Sequence, residues 1–272
     1  MTLFLSACSP LATFNALAPA DPGARISRDV PYGESPRQRL NVYRPDHGPS
    51  AAPVVVFLYG GSWNSGDKDD NDFVGSAFAA NGFVAAIPDY RLVPEIRYPV
   101  FLNDNAAALR WVYDYIADYG GDPHRIHLLG HSAGAYNAMM ITLDRTYLAK
   151  VGLPPNAIQS AAALAGPYDF LPFDVEATIA AFGDAPNPAA TQPIHYARAS
   201  APPIFLATGA DDSTVYPKNT HALAAKLREA GARVKETAYP GISHVSILLA
   251  ISKPFRDNAP VLSDVVDFFR AH

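Results

Sequence analysis

Gly130-His131-Ser132-Ala133-Gly134 sets a serine between two glycines, with an apolar run before it and a helical stretch after it. That setting suits a nucleophile. The glycines permit a turn too tight for side chains at those positions, and the serine hydroxyl projects from the corner in front of a helix N-terminus. A hydroxyl attacks a carbonyl only when a base takes its proton, and a carboxylate must fix the tautomer of that base and stabilise the imidazolium. Such elbows draw their partners from further along the chain, acid before histidine. Four histidines lie downstream: His195, His221, His244 and His272. His221 falls inside a helical pattern and His272 is terminal, while His195 precedes the acid candidates. His244, in Tyr239-Pro240-Gly241-Ile242-Ser243-His244, follows a strand and can reach the strand ends. The acid is Asp211 or Asp212, at the end of the apolar run Ile204 to Ala207, with Asp212 preferred. The chemistry these types suit is acyl transfer, which also needs donors for a tetrahedral oxyanion. Tyr59-Gly60-Gly61-Ser62-Trp63 follows another apolar run, and the amides of Gly61, Ser62 and Ala133 are the candidate donors.

Positioning these groups requires a scaffold of strand ends. Pro53 to Leu58, Phe83 to Ile87, Arg125 to Leu129, Ala161 to Ala165, Ile204 to Ala207 and Val234 to Tyr239 read as strands, most as unbroken apolar runs suited to burial on both faces. Helical patterns separate them, at Phe73 to Ala80, around Leu102 to Ile116, from Ala133 to about Leu148, and at Pro217 to Ala230 and Pro260 to Arg270. Two antiparallel candidates, Arg25 to Tyr32 and Arg39 to Arg44, open the series. Alternation of this kind predicts a doubly wound α/β domain over residues 26–272.

The segments quoted so far resemble a known family. Tyr59-Gly60-Gly61-Ser62-Trp63 with Ser65-Gly66-Asp67-Lys68, and Asp89-Tyr90-Arg91-Leu92-Val93-Pro94-Glu95, are similar to regions of α/β-hydrolase carboxylesterases of the hormone-sensitive-lipase-like group. The likeness runs from about Pro53 to the C-terminus and is nearest the branch of isoprenylcysteine-methylesterase-like, kynurenine-formamidase-like and feruloyl-esterase-like enzymes. It implies an α/β-hydrolase fold with a mostly parallel sheet of about eight strands and helices on both faces. It also implies ester hydrolysis through Ser132, His244 and Asp212, the acid being assigned by a G-x-x-D-x-x-V pattern at Gly209 to Val215. An amidase or formamidase would use the same machinery. Tyr59 stands where many relatives carry a histidine that braces the oxyanion loop, and its hydroxyl can do part of that work.

Substrate contacts are expected from Tyr59, Trp63 and His131, and from an insertion over residues 167–200 whose Phe170 and Phe173 would build a small lid or one wall of an acyl pocket. Arg91, Glu95 and Asp104 read as a structural polar cluster. His124 and His127 point to opposite faces of a strand, and no metal or cofactor motif is present.

Composition narrows the partners. The chain has 272 residues, 49% hydrophobic and 17% charged, with a net charge of −5 spread without long single-sign runs. That argues against a nucleic-acid-binding surface; a small-molecule ester as partner is what the resemblance implies. The single cysteine, Cys8, excludes an internal disulfide. Leu5-Ser6-Ala7-Cys8 resembles a bacterial lipobox, though Met1 to Leu5 is short and lacks a basic region. A lipidated Cys8 would anchor the chain to a membrane in the cell envelope; without it a cytoplasmic location is expected. Residues 1–25 are read as a tail, with the Ala-, Pro- and Gly-rich Thr13 to Arg25 as a tether.

Overall fold

Val54, Val55, Val56 and Phe57 are all buried, although consecutive strand residues face opposite sides of a sheet. Both faces of that strand are therefore covered, and the rest of the fold explains how. The structure, a computed structural model, describes residues 10–47 and 50–272. In chain order the elements are α1 (Pro10–Leu17), β1 (Ala24–Pro31), β2 (Arg39–Pro45), β3 (Ala52–Leu58), α2 (Asp72–Ala80), β4 (Val84–Pro88), α3 (Val100–Tyr115), β5 (Gly121–His131), α4 (Ala133–Leu143) and α5 (Arg145–Lys150). They continue with β6 (Ile158–Leu164), α6 (Glu176–Phe182), β7 (Ile204–Gly209), α7 (Lys218–Glu229), β8 (Val234–Tyr239), α8 (His244–Leu249) and α9 (Val261–Arg270).

The eight strands form one sheet in the order β1-β2-β4-β3-β5-β6-β7-β8. β1 and β2 join antiparallel, and all pairs from β4 to β8 are parallel. This is the α/β-hydrolase architecture. Because the parallel strands share one direction, the loops after β3, β5, β7 and β8 all emerge at the same sheet edge. The elbow, the glycine loop, the acid and the histidine are thereby brought to one place from positions far apart in the chain.

The helical stretch read as continuous from Ala133 to Leu148 is two helices. Asp144 takes an extended conformation (ψ 102°), and its side chain accepts the Thr146 N–H to start α5. An aspartate that caps a helix is worth more at that boundary than inside a helix, which is why the chain breaks there.

The N-terminal segment departs further from the tether reading. Residues from Pro10 form α1, with proline in the first turn, where its missing N–H costs nothing, and Pro19 just beyond the end. Asp21 makes a two-pronged ion pair with Arg256, at 3.0 and 2.6 Å. The alanines that suggested a linker are good helix formers, and Leu11 and Phe14 give the helix an apolar side to dock. Cys8 and the lipobox-like stretch lie outside the described residues. Among the described residues, no helix is long and apolar enough to cross a membrane.

Candidate active site

β5 hands over to α4 at Ser132, whose backbone sits at φ 55°, ψ −124°. A non-glycine residue in that region costs about 1–3 kcal/mol and persists only where its surroundings dictate it. Here the Ser132 N–H donates to the Leu164 carbonyl at 2.9 Å, and its own carbonyl accepts the Tyr136 N–H at 3.1 Å. The flanking glycines are obligatory. A Cβ on Gly130 would lie 2.3 Å from the Gly134 carbonyl oxygen, and one on Gly134 would lie 2.0 Å from that of Leu58. The turn closes only because both side chains are missing.

His244 opens α8, held there by a cap in which the Ser243 hydroxyl and Ser246 satisfy each other's backbone amides. Its Nε2 lies 2.8 Å from Ser132 Oγ, and its Nδ1 lies 2.7 Å from Asp212 Oδ2. The other Asp212 oxygen accepts the amides of Thr214 and Val215 at 2.9 and 2.8 Å, and the side chain is fully buried. Asp212 Oδ2 accepts the Nδ1–H, so the Nε2 lone pair faces the serine hydroxyl. Asp211 is exposed, its amide committed to the Ile242 carbonyl. The three side chains singled out in sequence thus meet at one corner, while His195 stays on a short 3-10 turn after α6.

His131 has a separate task. Its Nε2–H donates to the His244 carbonyl at 2.9 Å, bracing the backbone of the base. Burial, reinforced by the neighbouring His244, pushes its pKa down to about 3, so it is a neutral donor at ordinary pH.

The glycine loop after β3 is held against the elbow. A Cβ on Gly60 would come 2.8 Å from that of Ser132. Gly61, Ser62 and Trp63 follow with φ of 118°, 52° and 60°, and the Asn64 and Ser65 amides fold back onto the Gly61 carbonyl. Among the described residues the Gly61 and Ser62 amides donate to no backbone acceptor, and Ala133 lies in the first turn of α4, where amides have no partner within the helix.

Under this loop lies a network that sequence reading only half anticipated. The Tyr59 hydroxyl donates to Asp89 at 2.6 Å and accepts from Arg37 at 2.8 Å, while its ring stacks on Tyr90. Arg37 also donates to the carbonyls of Gly66 and Tyr90, both at 2.9 Å, and the Lys68 amide donates to Asp89. Burial pushes Asp89 up to about 6, against the pull of Tyr59 and Arg37. The Tyr59 hydroxyl is thus fixed by Asp89 and Arg37 and its ring by Tyr90, the bracing role expected of it. Nothing in the sequence marked Arg37, whose acceptors lie 22 to 53 residues further along the chain. Arg91 and Asp104 pair through two bonds at 2.9 and 2.8 Å, but Glu95 stays exposed beside them.

A cavity of about 480 Å³ opens over Ser132 and His244, with Tyr59, Ser62 and His131 in its lining. Trp63, Phe170 and Phe173 do not line it, contrary to their expected role as substrate contacts. The Trp63 Nε1–H donates to Asn137 at 3.0 Å, and its ring meets Tyr136, Phe170 and Phe182 with centroids 5.3, 6.3 and 4.8 Å away. Phe173 stacks on Phe182. The insertion therefore fills space with interlocked rings, a larger gain in buried area than leaving a lined slot would give. Leu11 and Phe14 of α1 instead supply cavity wall. Among the described residues no group of three or more His, Cys, Asp or Glu side chains is gathered as a metal site would be.

The chain is similar to several known proteins. The chain is 27% identical over 248 residues to an Arabidopsis thaliana protein named probable isoprenylcysteine alpha-carbonyl methylesterase ICMEL1, covering 82% of this chain and 52% of that one. It is 32% identical over 261 residues to esterase LipQ of Mycobacterium tuberculosis, covering 89% and 62%. The chain thus spans about half to two thirds of the length of these relatives. Among solved structures, esterase B of Lactobacillus rhamnosis carrying a tributyrin phosphonate superposes with a TM-score of 0.84 at 20% identity, over 96% of this chain and 90% of that one. The metagenomic carboxylesterase EstE1 gives 0.78 at 21% identity, over 96% and 92%. Residues 40–227 match the family model described as BD-FAE, a span that holds the glycine loop, Ser132 and Asp212 and stops short of His244. On that match the chain belongs to the BD-FAE family, within the α/β-hydrolase fold.

Proposed function

We propose that the protein is a serine carboxylesterase that hydrolyses esters of short to medium acyl chain through Ser132, His244 and Asp212. The observation that carries this is the unbroken line from Asp212 Oδ2 through His244 to Ser132 Oγ, at 2.7 and 2.8 Å, opening on a cavity beside the glycine loop. The esterase names of the relatives support it. Ser132 Oγ attacks the carbonyl carbon while His244 Nε2 takes its proton. The Gly61, Ser62 and Ala133 amides receive the oxyanion, each such donor being worth about 2.7–4 kcal/mol of barrier. The carbon–oxygen bond to the alcohol breaks, the alcohol leaves with the proton from His244, and water activated by the same imidazole releases the acid.

Trp63, at the end of the glycine loop, packs against Tyr136 and Phe182 and lines no part of the cavity, so no long acyl slot is expected there. A series of p-nitrophenyl esters from acetyl to dodecanoyl, with matched p-nitroanilides, tests both points. The highest kcat/KM is expected between about two and six acyl carbons, falling roughly tenfold by ten carbons. Preference for the longest chains, or anilides cleaved faster than esters, would contradict it.

A further inference from the structure

We propose that the cavity over Ser132 receives the alcohol half of the ester, and that Leu11 and Phe14 of α1 set the size of the alcohol accepted. This rests on the esterase reading and adds the direction in which the substrate lies. His244 takes the serine proton and must return it to the oxygen of the departing alcohol. That oxygen therefore sits on the imidazole side of the carbonyl carbon, and the group it carries runs along the helix bearing His244. α8 presents Val245, Leu248 and Leu249 to the cavity, an aliphatic strip at helical spacing.

The strip would line an open groove without α1. Leu11 and Phe14, three residues apart on α1, add a wall to what remains a half-open cavity. The helix is tied down at several points. The Asn15 side chain donates to the Asp69 carbonyl at 2.7 Å and accepts the Phe73 amide at 3.1 Å. The Phe14 ring stands edge-on to Phe73 at 5.4 Å and lies 5.8 Å from Phe255, so it bridges the start of α2 and the segment after α8. A wall fixed in this way and lined by aliphatic and aromatic groups selects for an apolar alcohol of several carbons. The aromatic cluster around Trp63 lines no part of this cavity.

Two ester series separate the halves. In one, acetate is kept and the alcohol runs from methyl through n-octyl; in the other, ethanol is kept and the same carbons are added to the acyl side. Primary alkyl alcohols differ little in acidity, so differences within the first series report contacts to the alcohol. The value of kcat/KM is expected to climb about tenfold or more from ethyl to hexyl acetate, with no matching climb in the acyl series. In Phe14→Ala and in Leu11→Ala the hexyl-to-ethyl ratio is expected to fall at least about threefold. Each ratio is taken on one preparation, so a loss of folded enzyme cancels. A flat alcohol series, a climb that follows the acyl chain, or a ratio unchanged in both variants would overturn the inference while leaving ester hydrolysis in place. Wild-type protein that cleaves no ester in either series would remove the esterase reading itself.

Discussion

Ser132→Ala is expected to lower kcat for p-nitrophenyl butyrate by about 10⁶-fold, with far-ultraviolet circular dichroism unchanged and the thermal midpoint within a few degrees of wild type. The size follows from the relay acting as a unit. Without Oγ there is no acceptor for the acyl group, and His244 Nε2 has no proton to take. The fold is expected to survive because alanine keeps the Cβ that the elbow already accommodates at φ 55°, and the backbone bonds to Leu164 and Tyr136 do not involve the side chain. Steady-state assays beside thermal melts check it. Retained turnover would place the nucleophile elsewhere.

Asp212→Asn is expected to cost about 10⁴-fold in kcat, and the reason is the tautomer. The Thr214 and Val215 amides both donate to Asp212 Oδ1. An asparagine in this place keeps its carbonyl oxygen on those donors and so turns its NH₂ toward His244 Nδ1. The imidazole must then accept at Nδ1 and carry its proton on Nε2, where it faces the serine hydroxyl as a donor and cannot act as a base. Asp211→Asn supplies the comparison, since Asp211 is exposed, and its effect is expected to stay within a few fold. Comparable losses in both variants would show that Asp212 does not act through His244.

Much of this site was legible because its chemistry is local in sequence. Ser132 sits in a five-residue turn whose glycines are demanded by contacts with Gly134 and Leu58, and such a turn leaves its mark on residue types. Asp212 follows β7, whose apolar run announces it, and His244 follows the more polar edge strand β8. The strands themselves read easily because burial on both faces removes polar alternation. Three features were hidden, each for a physical reason. The docking of α1 depends on Phe73, Phe255 and Arg256, so the alanines before Pro19 looked like a linker when read alone. Phe170 and Phe173 could have lined a slot or plugged one, and only the position of Trp63 decides between them. Arg37 follows a proline in an unremarkable turn, and its importance lies in reaching Tyr59 and Asp89 under the glycine loop.

The most direct test of Ser132 as nucleophile is covalent. The protein is treated with a p-nitrophenyl alkylphosphonate ester, released nitrophenolate is counted, and the digested protein is examined by mass spectrometry. One equivalent released per chain, lost turnover in step with it, and a phosphonyl adduct on Ser132 alone are the expected results. An adduct on any other residue, or full esterase activity after Ser132 has been modified, would contradict the mechanism.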